Sequence, residues 1–307
     1  MTKPLDDFVR DVSDSGLLPD TELRACPQEQ LIDSSIRPTP SFGDPTMKRR
    51  TFLSSTIVGS SLAALPALTS AADDSKGQRQ LIELRTYTLK PDKQKAFDDY
   101  LEKALIPALN RLGVKSVGVY SENLPAGRPP VYYMLVPYEN AEQWTSVSAK
   151  LLSDAEYQKA AAEYLAVQAT DPIYDRVESS LFRAFETMPK VEKPAGKPQM
   201  FNLRIYESHN EAAGQKKIEM FNQGEIAIFR RVGLNPVFFG EAIAGTRMPN
   251  LTYLLAYEDD QARNAAWNKF GGDPDWKKLR AIPEYEDKKI VSRITNRLLT
   301  PTSYSQI

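Results

Sequence analysis

Histidine and cysteine are nearly absent, at one residue each in 307, and neither charge sign prevails, with a formal net charge of −1. Each shortage excludes a class of chemistry. A balanced chain has no basic footprint for phosphate backbones, so nucleic acid is not an expected partner, and the balance does not point to a membrane surface either. One histidine, His209, cannot make a zinc or non-haem iron site without several carboxylates at ligand spacing. No such set appears, so no metal is expected and a metal hydrolase is disfavoured. A glycine-rich phosphate loop, a nucleophile elbow and a dinucleotide fingerprint are missing too.

What is present begins with an order of basic, apolar and small residues from Met47 to Asp74. Lys48, Arg49 and Arg50 precede an apolar run from about Phe52 to Leu68, and Ser70, Ala71 and Ala72 follow. That order reads as a secretory signal peptide over 47–72. The run is too short and too interrupted for a stable membrane span. Arg49 and Arg50 followed by Thr51, Phe52 and Leu53 resemble the bacterial twin-arginine signal, which gives an exported, periplasmic or extracellular protein. The preceding 1–46 is acidic, which conflicts with a positively charged leader. It is read as an over-extended start, disordered and without a role in the fold, with translation beginning at Met47. Cys26 lies there, so the exported chain would have no disulfide, thiolate metal site or cysteine nucleophile.

From Gln80 onward the chain writes one pattern twice. "IELRTY" at Ile82 returns as "FNLRIY" at Phe201, 119 residues on. Each copy predicts a strand, a long helix closed by glycine (Gly113, Gly233), two strands, further helix and a last strand. The spans are 80–187 and 200–300, joined by a Pro- and Lys-rich linker at 188–199 and followed by a tail at 301–307. The expected fold is α+β: two ferredoxin-like β-α-β-β-α-β units packed sheet to sheet. In that arrangement Arg85, Tyr87, Arg204 and Tyr206 lie on the uncovered sheet faces and meet across the seam.

"ELRTYTLKPDKQKAF", "LNRLG" and "VYYMLVPYEN" in the first copy, with "RVGLNPVF", "NLTYLLAYED" and "DPDWKKL" in the second, resemble the NIPSNAP family of the dimeric α/β-barrel superfamily. The likeness covers nearly all of Leu81–Leu299. It implies that the two repeats form within one chain the barrel that simpler relatives build from two. It implies no settled reaction, because the family is defined by sequence. Better-known members of the superfamily are small monooxygenases, haem-degrading enzymes and haem-dependent peroxidases, and a shared fold does not transfer their chemistry.

The second repeat is the less ordinary copy. Its long helix carries a core-facing stripe through Phe221, Ile228 and Val232 that includes Glu225, where the first repeat has Leu105. Glu219 and Asn222 flank the same face, and Gly224 leaves room beside the carboxylate. Such polarity on a packing face is costly unless it pairs or binds something. Pairing with Arg204 or another arginine is the structural reading of Glu225, and a ligand or catalytic role the functional one. His209 lies in "ESHNE", where Ser208 and Glu211 fit a capping box. It reads either as a cap or surface residue, or as a general base or axial haem ligand.

The leading expectation is a small organic ligand in the second repeat, lined by Arg204, Tyr206, His209, Asn222 and Glu225. If the protein is an enzyme, the chemistry is cofactor-independent acid/base or oxygenation, with Glu225 or His209 as base and Arg204 holding an anionic group. The alternatives are a non-catalytic structural or interaction module and, third, haem bound through His209. Assembly into a homo-oligomer is left open.

Overall fold

Alternation in the strands and 3.6-residue spacing in the helices produce a mixed α and β architecture. The computed structural model describes residues 78–307. The leader, the signal segment with Arg49 and Arg50, and Cys26 lie outside the described residues. The strands are β1 (Leu81–Leu89), β2 (Gly118–Glu122), β3 (Val131–Tyr138), β4 (Tyr174–Ala184), β5 (Met200–Glu207), β6 (Asn235–Ala244), β7 (Asn250–Tyr257) and β8 (Arg293–Pro301). Helix α1 runs over 94–111 with a π turn at Leu101–Leu105 inside it. After β3 come α2 (Ala141–Ser153), α3 (Ala155–Ala160) and α4 (Ala162–Leu165). In the second half, α5 runs over 211–232 with its π turn at Phe221–Glu225. Beyond β7 lie α6 (Asp260–Gly272), α7 (Pro274–Arg280) and α8 (Asp287–Ile290).

The strands close into one antiparallel barrel in the order β1-β3-β2-β8-β5-β7-β6-β4. The two halves therefore join at their edges, through β2 with β8 and β4 with β6, and their inner sheet faces meet across the barrel in one shared core. The same geometry overturns the predicted orientation of the repeated Arg and Tyr. Ile82, Leu84, Phe201 and Leu203 point into a central core shared by both halves. Tyr87 and Tyr206 instead belong to two separate cores beneath the helices. In β1 and β5 residues of both faces are buried, so alternation showed that two faces differ without showing which is inside. An eight-stranded barrel is just wide enough for side chains or one small ligand, and Leu84, Phe182, Phe201 and Phe238 are among the side chains that fill its centre.

Local chemistry fixes the helices in the same way in both halves. Asp154 and Asp273 each accept backbone N–H bonds at the start of α3 and α7. Each also receives an arginine from the end of the preceding long helix, Arg111 at 2.7 Å and Arg231 at 2.8 Å. The expected capping box at Ser208 is replaced by Asn210, whose side chain accepts from Ala213 N at 2.9 Å; the Ser208 hydroxyl donates to Ile290 O instead. The last strand, read from the sequence as starting at about Ile290, begins at Arg293, and Ile290 ends α8. The 301–307 tail is not loose: Gln306 N donates to Val117 O at 2.9 Å, and Ile307 is buried in the barrel core. Among the described residues no helix is long and apolar enough to cross a membrane.

Candidate functional site

The π turn of α5 sets the geometry of the most unusual side chains. Lys217 and Glu225 are eight residues apart, a spacing that would splay them by about 80° on a regular helix. The wider turn absorbs one residue and returns them to one face. Lys217 Nζ lies 3.3 Å from Glu225 Oε2, with side-chain exposures of 2% and 4%. The ammonium also lies 3.4 Å from Asp287 on α8 and over the Phe221 ring at 5.0 Å. Burial pushes the Glu225 carboxyl up to about 7, against the pull of Lys217 and Arg204 and with the help of Asp287. The first repeat has Phe97 and Leu105 at the corresponding places, both in its apolar core. Sequence reasoning named Arg204 as the structural partner of Glu225 and missed Lys217. Aligning Lys217 with Phe97, as Glu225 was aligned with Leu105, was the available signal.

Tyr206 links this pair to Arg204. The Lys217 ammonium stands 5.7 Å from the Tyr206 ring centre, and the Tyr206 hydroxyl accepts from Arg204 Nη2 and from the Tyr253 hydroxyl, both at 3.1 Å. The guanidinium carbon lies 4.9 Å from the Trp267 ring centre and 5.5 Å from that of Tyr206. Burial works against the Arg204 charge, and the tyrosines around it hold it protonated. Arg204 Nε, Tyr257 OH, Trp267 Nε1 and Asn202 Oδ1 are all buried without a hydrogen-bond partner.

The equivalent box in the first repeat is complete. Glu83 accepts from Arg85 Nη2 at 2.8 Å, Tyr138 OH at 3.0 Å and Ser179 Oγ at 2.7 Å. Burial raises the Glu83 carboxyl, and these partners more than reverse it, so its pKa ends below the ordinary value. Register pairs Arg85 with Ser179 and Arg204 with Asn296. In the second repeat Asn202 stands where Glu83 does, and it turns to Asn296 and Arg297 O.

The other expected residues do not join the cluster. His209 is exposed in the turn before α5. Asn222 accepts from Thr187 N at 3.2 Å and Thr187 Oγ1 at 2.8 Å, holding the chain beyond β4. Glu219 takes the Tyr285 hydroxyl at 2.8 Å. A separate cavity of about 80 Å³ lies at the barrel, lined by Thr86, Ser180, Thr252 and Thr295 with Arg247 and Arg297. Arg297 is committed to Glu122 at 3.2 Å, and none of the buried cluster reaches this space. Among the described residues no group of three or more His, Cys, Asp or Glu is placed to hold a metal ion.

No curated protein matches the chain. Among solved structures, a candidate monooxygenase from Lactobacillus acidophilus NCFM is similar with a TM-score of 0.50 and 11% identity, over 73% of this chain and 94% of that one. At that identity the likeness carries the barrel fold alone. An uncharacterized NIPSNAP-like domain protein from Burkholderia xenovorans is 22% identical over 36% of this chain and 90% of its own, with a TM-score of 0.32. A NIPSNAP family protein from Agrobacterium tumefaciens str. C58 is 20% identical over 35% of this chain and 96% of its own, with a TM-score of 0.31. The NIPSNAP family model matches twice, over residues 82–182 and 201–306, the two halves that close the barrel. By that double match, the chain belongs to the NIPSNAP family.

Proposed function

We propose that the second repeat binds a small organic molecule between its helices and the barrel wall, and that Glu225 exchanges a proton with it. The observation that carries this reading is the buried Lys217–Glu225 pair at a π turn where the first repeat has Phe97 and Leu105. Such a pair is seldom more stable than the apolar residues it replaces, and π turns are frequent at functional sites. A carboxyl near 7 suits general acid/base work at neutral pH. Abstraction of a proton from a carbon acid, without a cofactor, is the step such a centre performs. Oxygenation is the extension that the Lactobacillus neighbour's name invites, and at 11% identity that neighbour lends no reaction.

The test is incubation in D2O with a panel of small enolisable acids and phenols, scoring deuterium uptake at carbon by mass spectrometry. Uptake that disappears in Glu225→Gln supports the reading, and equal uptake in that variant overturns it. A non-catalytic role is the second reading, favoured by Asp287, which completes the charge balance of Lys217 from within the chain. No uptake and no binding, with full stability retained in Glu225→Gln, would establish it. Haem through His209 fits poorly: the imidazole is exposed and does not line the cavity at the barrel.

The halves at 80–187 and 200–300 are read as tandem ferredoxin-like repeats, a reading supported by their shared strand order and matching π turns. Export on Arg49 and Arg50 belongs to the same proposal, supported by the order of basic, apolar and small residues. Mass spectrometry of the processed N-terminus tests it. A mature end before Met47 would contradict it.

A further inference from the structure

Accepting the second repeat as the ligand-binding half, we infer that the ligand carries a carboxylate, and that this group takes the place beside Arg204 that Glu83 fills beside Arg85. The argument is an internal comparison. Two boxes share a strand register, an arginine, a tyrosine at its side (Tyr138, Tyr257) and a polar residue on the neighbouring strand (Ser179, Asn296). The first box supplies its own anion, and all three donors converge on the Glu83 oxygens. The second has lost that anion to Asn202. Its three donor groups, Arg204 Nε, Tyr257 OH and Trp267 Nε1, are buried with no carboxylate to receive them, and the Trp267 indole stands close enough to act on the Tyr257 hydroxyl.

Buried donors without acceptors are costly, and natural structures rarely keep several together without a purpose. Trp267 covers the guanidinium at 4.9 Å and the Tyr206 hydroxyl takes one Nη2 proton, which leaves the Nε side of the group for a planar two-oxygen partner. Arginine is suited to that bidentate geometry. Trp267 adds to the case, because the matching residue of the first repeat is the exposed Ser148. The aromatic cover and the indole N–H exist only where the internal carboxylate does not. Tyr206 places the bound acid next to Lys217 and Glu225, so the chemistry proposed for that pair would act on an organic acid held by its carboxylate.

The experiment is thermal denaturation of the full chain with acetate, benzoate, their neutral amides acetamide and benzamide, and inorganic phosphate at matched ionic strength. A saturable rise of about 5 °C at a hundredfold excess over Kd is expected with the carboxylates alone. A response equal for the amides, or for phosphate, overturns the carboxylate assignment. Asn202→Glu restores the first repeat's anion; it is expected to raise the ligand-free midpoint and weaken carboxylate binding at least about tenfold. Unchanged carboxylate binding in that variant overturns the inference.

Should Asn202→Glu not fold, Glu83→Asn gives the reciprocal test. It opens a second box of the same kind, whose lost stability acetate should restore, and failure of acetate to do so counts against the inference. Glu225→Gln separates the two proposals. It should remove proton exchange while leaving carboxylate binding within about twofold, because Glu225 is not one of the box donors.

Discussion

Replacing Lys217 with phenylalanine and Glu225 with leucine would give the second repeat the pair that the first already carries at the same turn. The magnitude follows from the geometry. At 3.3 Å and an effective dielectric of about 20, the attraction between the two charges is about 5 kcal/mol. Removing each ion from water costs several kcal/mol, so desolvation of both matches or exceeds the attraction. The double variant is therefore expected to be more stable than the natural chain by about 1–4 kcal/mol, the range seen when buried ion pairs give way to well-packed apolar residues.

Lys217→Phe alone should be less stable by up to about 3 kcal/mol. It leaves Glu225 buried without a cation, and protonation of the carboxyl limits the loss. The assay is urea denaturation of all four members of the cycle at pH 7, read as a coupling energy. A double variant less stable by about 2 kcal/mol or more, with additive single effects, would refute the reasoning. The pair would then be a packing device and not a retained electrostatic burden.

Stability of the natural chain should fall as pH rises from 4.5 towards 7. The folded carboxyl of Glu225 stands near 7 and the unfolded one near 4.5, so the native state binds the extra proton across that window and loses the advantage as it ionises. The change relative to Glu225→Gln, measured by urea midpoints at several pH values, is on the order of 3 kcal/mol, and a flat difference would contradict the assignment. Tyr206→Phe removes the acceptor for both Arg204 and Tyr253 and should cost about 1–3 kcal/mol in the same assay. Gly240→Ala probes the closing seam, since a Cβ there would meet Phe182 Cβ at 2.6 Å. A loss of about 1–3 kcal/mol is expected from overpacking between β4 and β6.

The repeat at 119 residues was legible because it is written in structural residues. Asp154 and Asp273 begin helices and receive an arginine in each copy, and Gly113 and Gly233 both close a long helix with positive φ, 82° and 92°. Glu225 was legible as a polar residue on an apolar stripe whose other members are indeed buried. Three things were not. Closure of the barrel under a layer of helices buries residues on both faces of β1 and β5, which removes there the usual contrast between a covered and an open side. The π turn shifts the helical register by one residue, so a search at i+4 and i+7 passes over Lys217. The Arg204 box depends on Asn202, which sits inside an ordinary-looking strand and acquires meaning only beside Glu83.

That last comparison makes the duplication itself informative. Two copies on one barrel share the central core, and the first half carries an apolar helix face and a self-satisfied Arg85–Glu83 box. Each departure in the second half runs in the unfavourable direction for folding: a buried ion pair for two hydrophobes, and unpaired donors for a hydrogen-bonded carboxylate. Random drift would be expected to scatter such departures over both copies and over unrelated positions. Asn110 and Tyr120 of the first half also hold buried unpaired atoms, but in the second half the ion pair and the unpaired arginine meet around one tyrosine, Tyr206, within reach of Lys217 on one side and Arg204 on the other. Stability supplied by one copy allows the other to hold polar groups that a single unit of this size would tolerate poorly. In that arrangement the first repeat is the scaffold, and the second is where chemistry is to be sought.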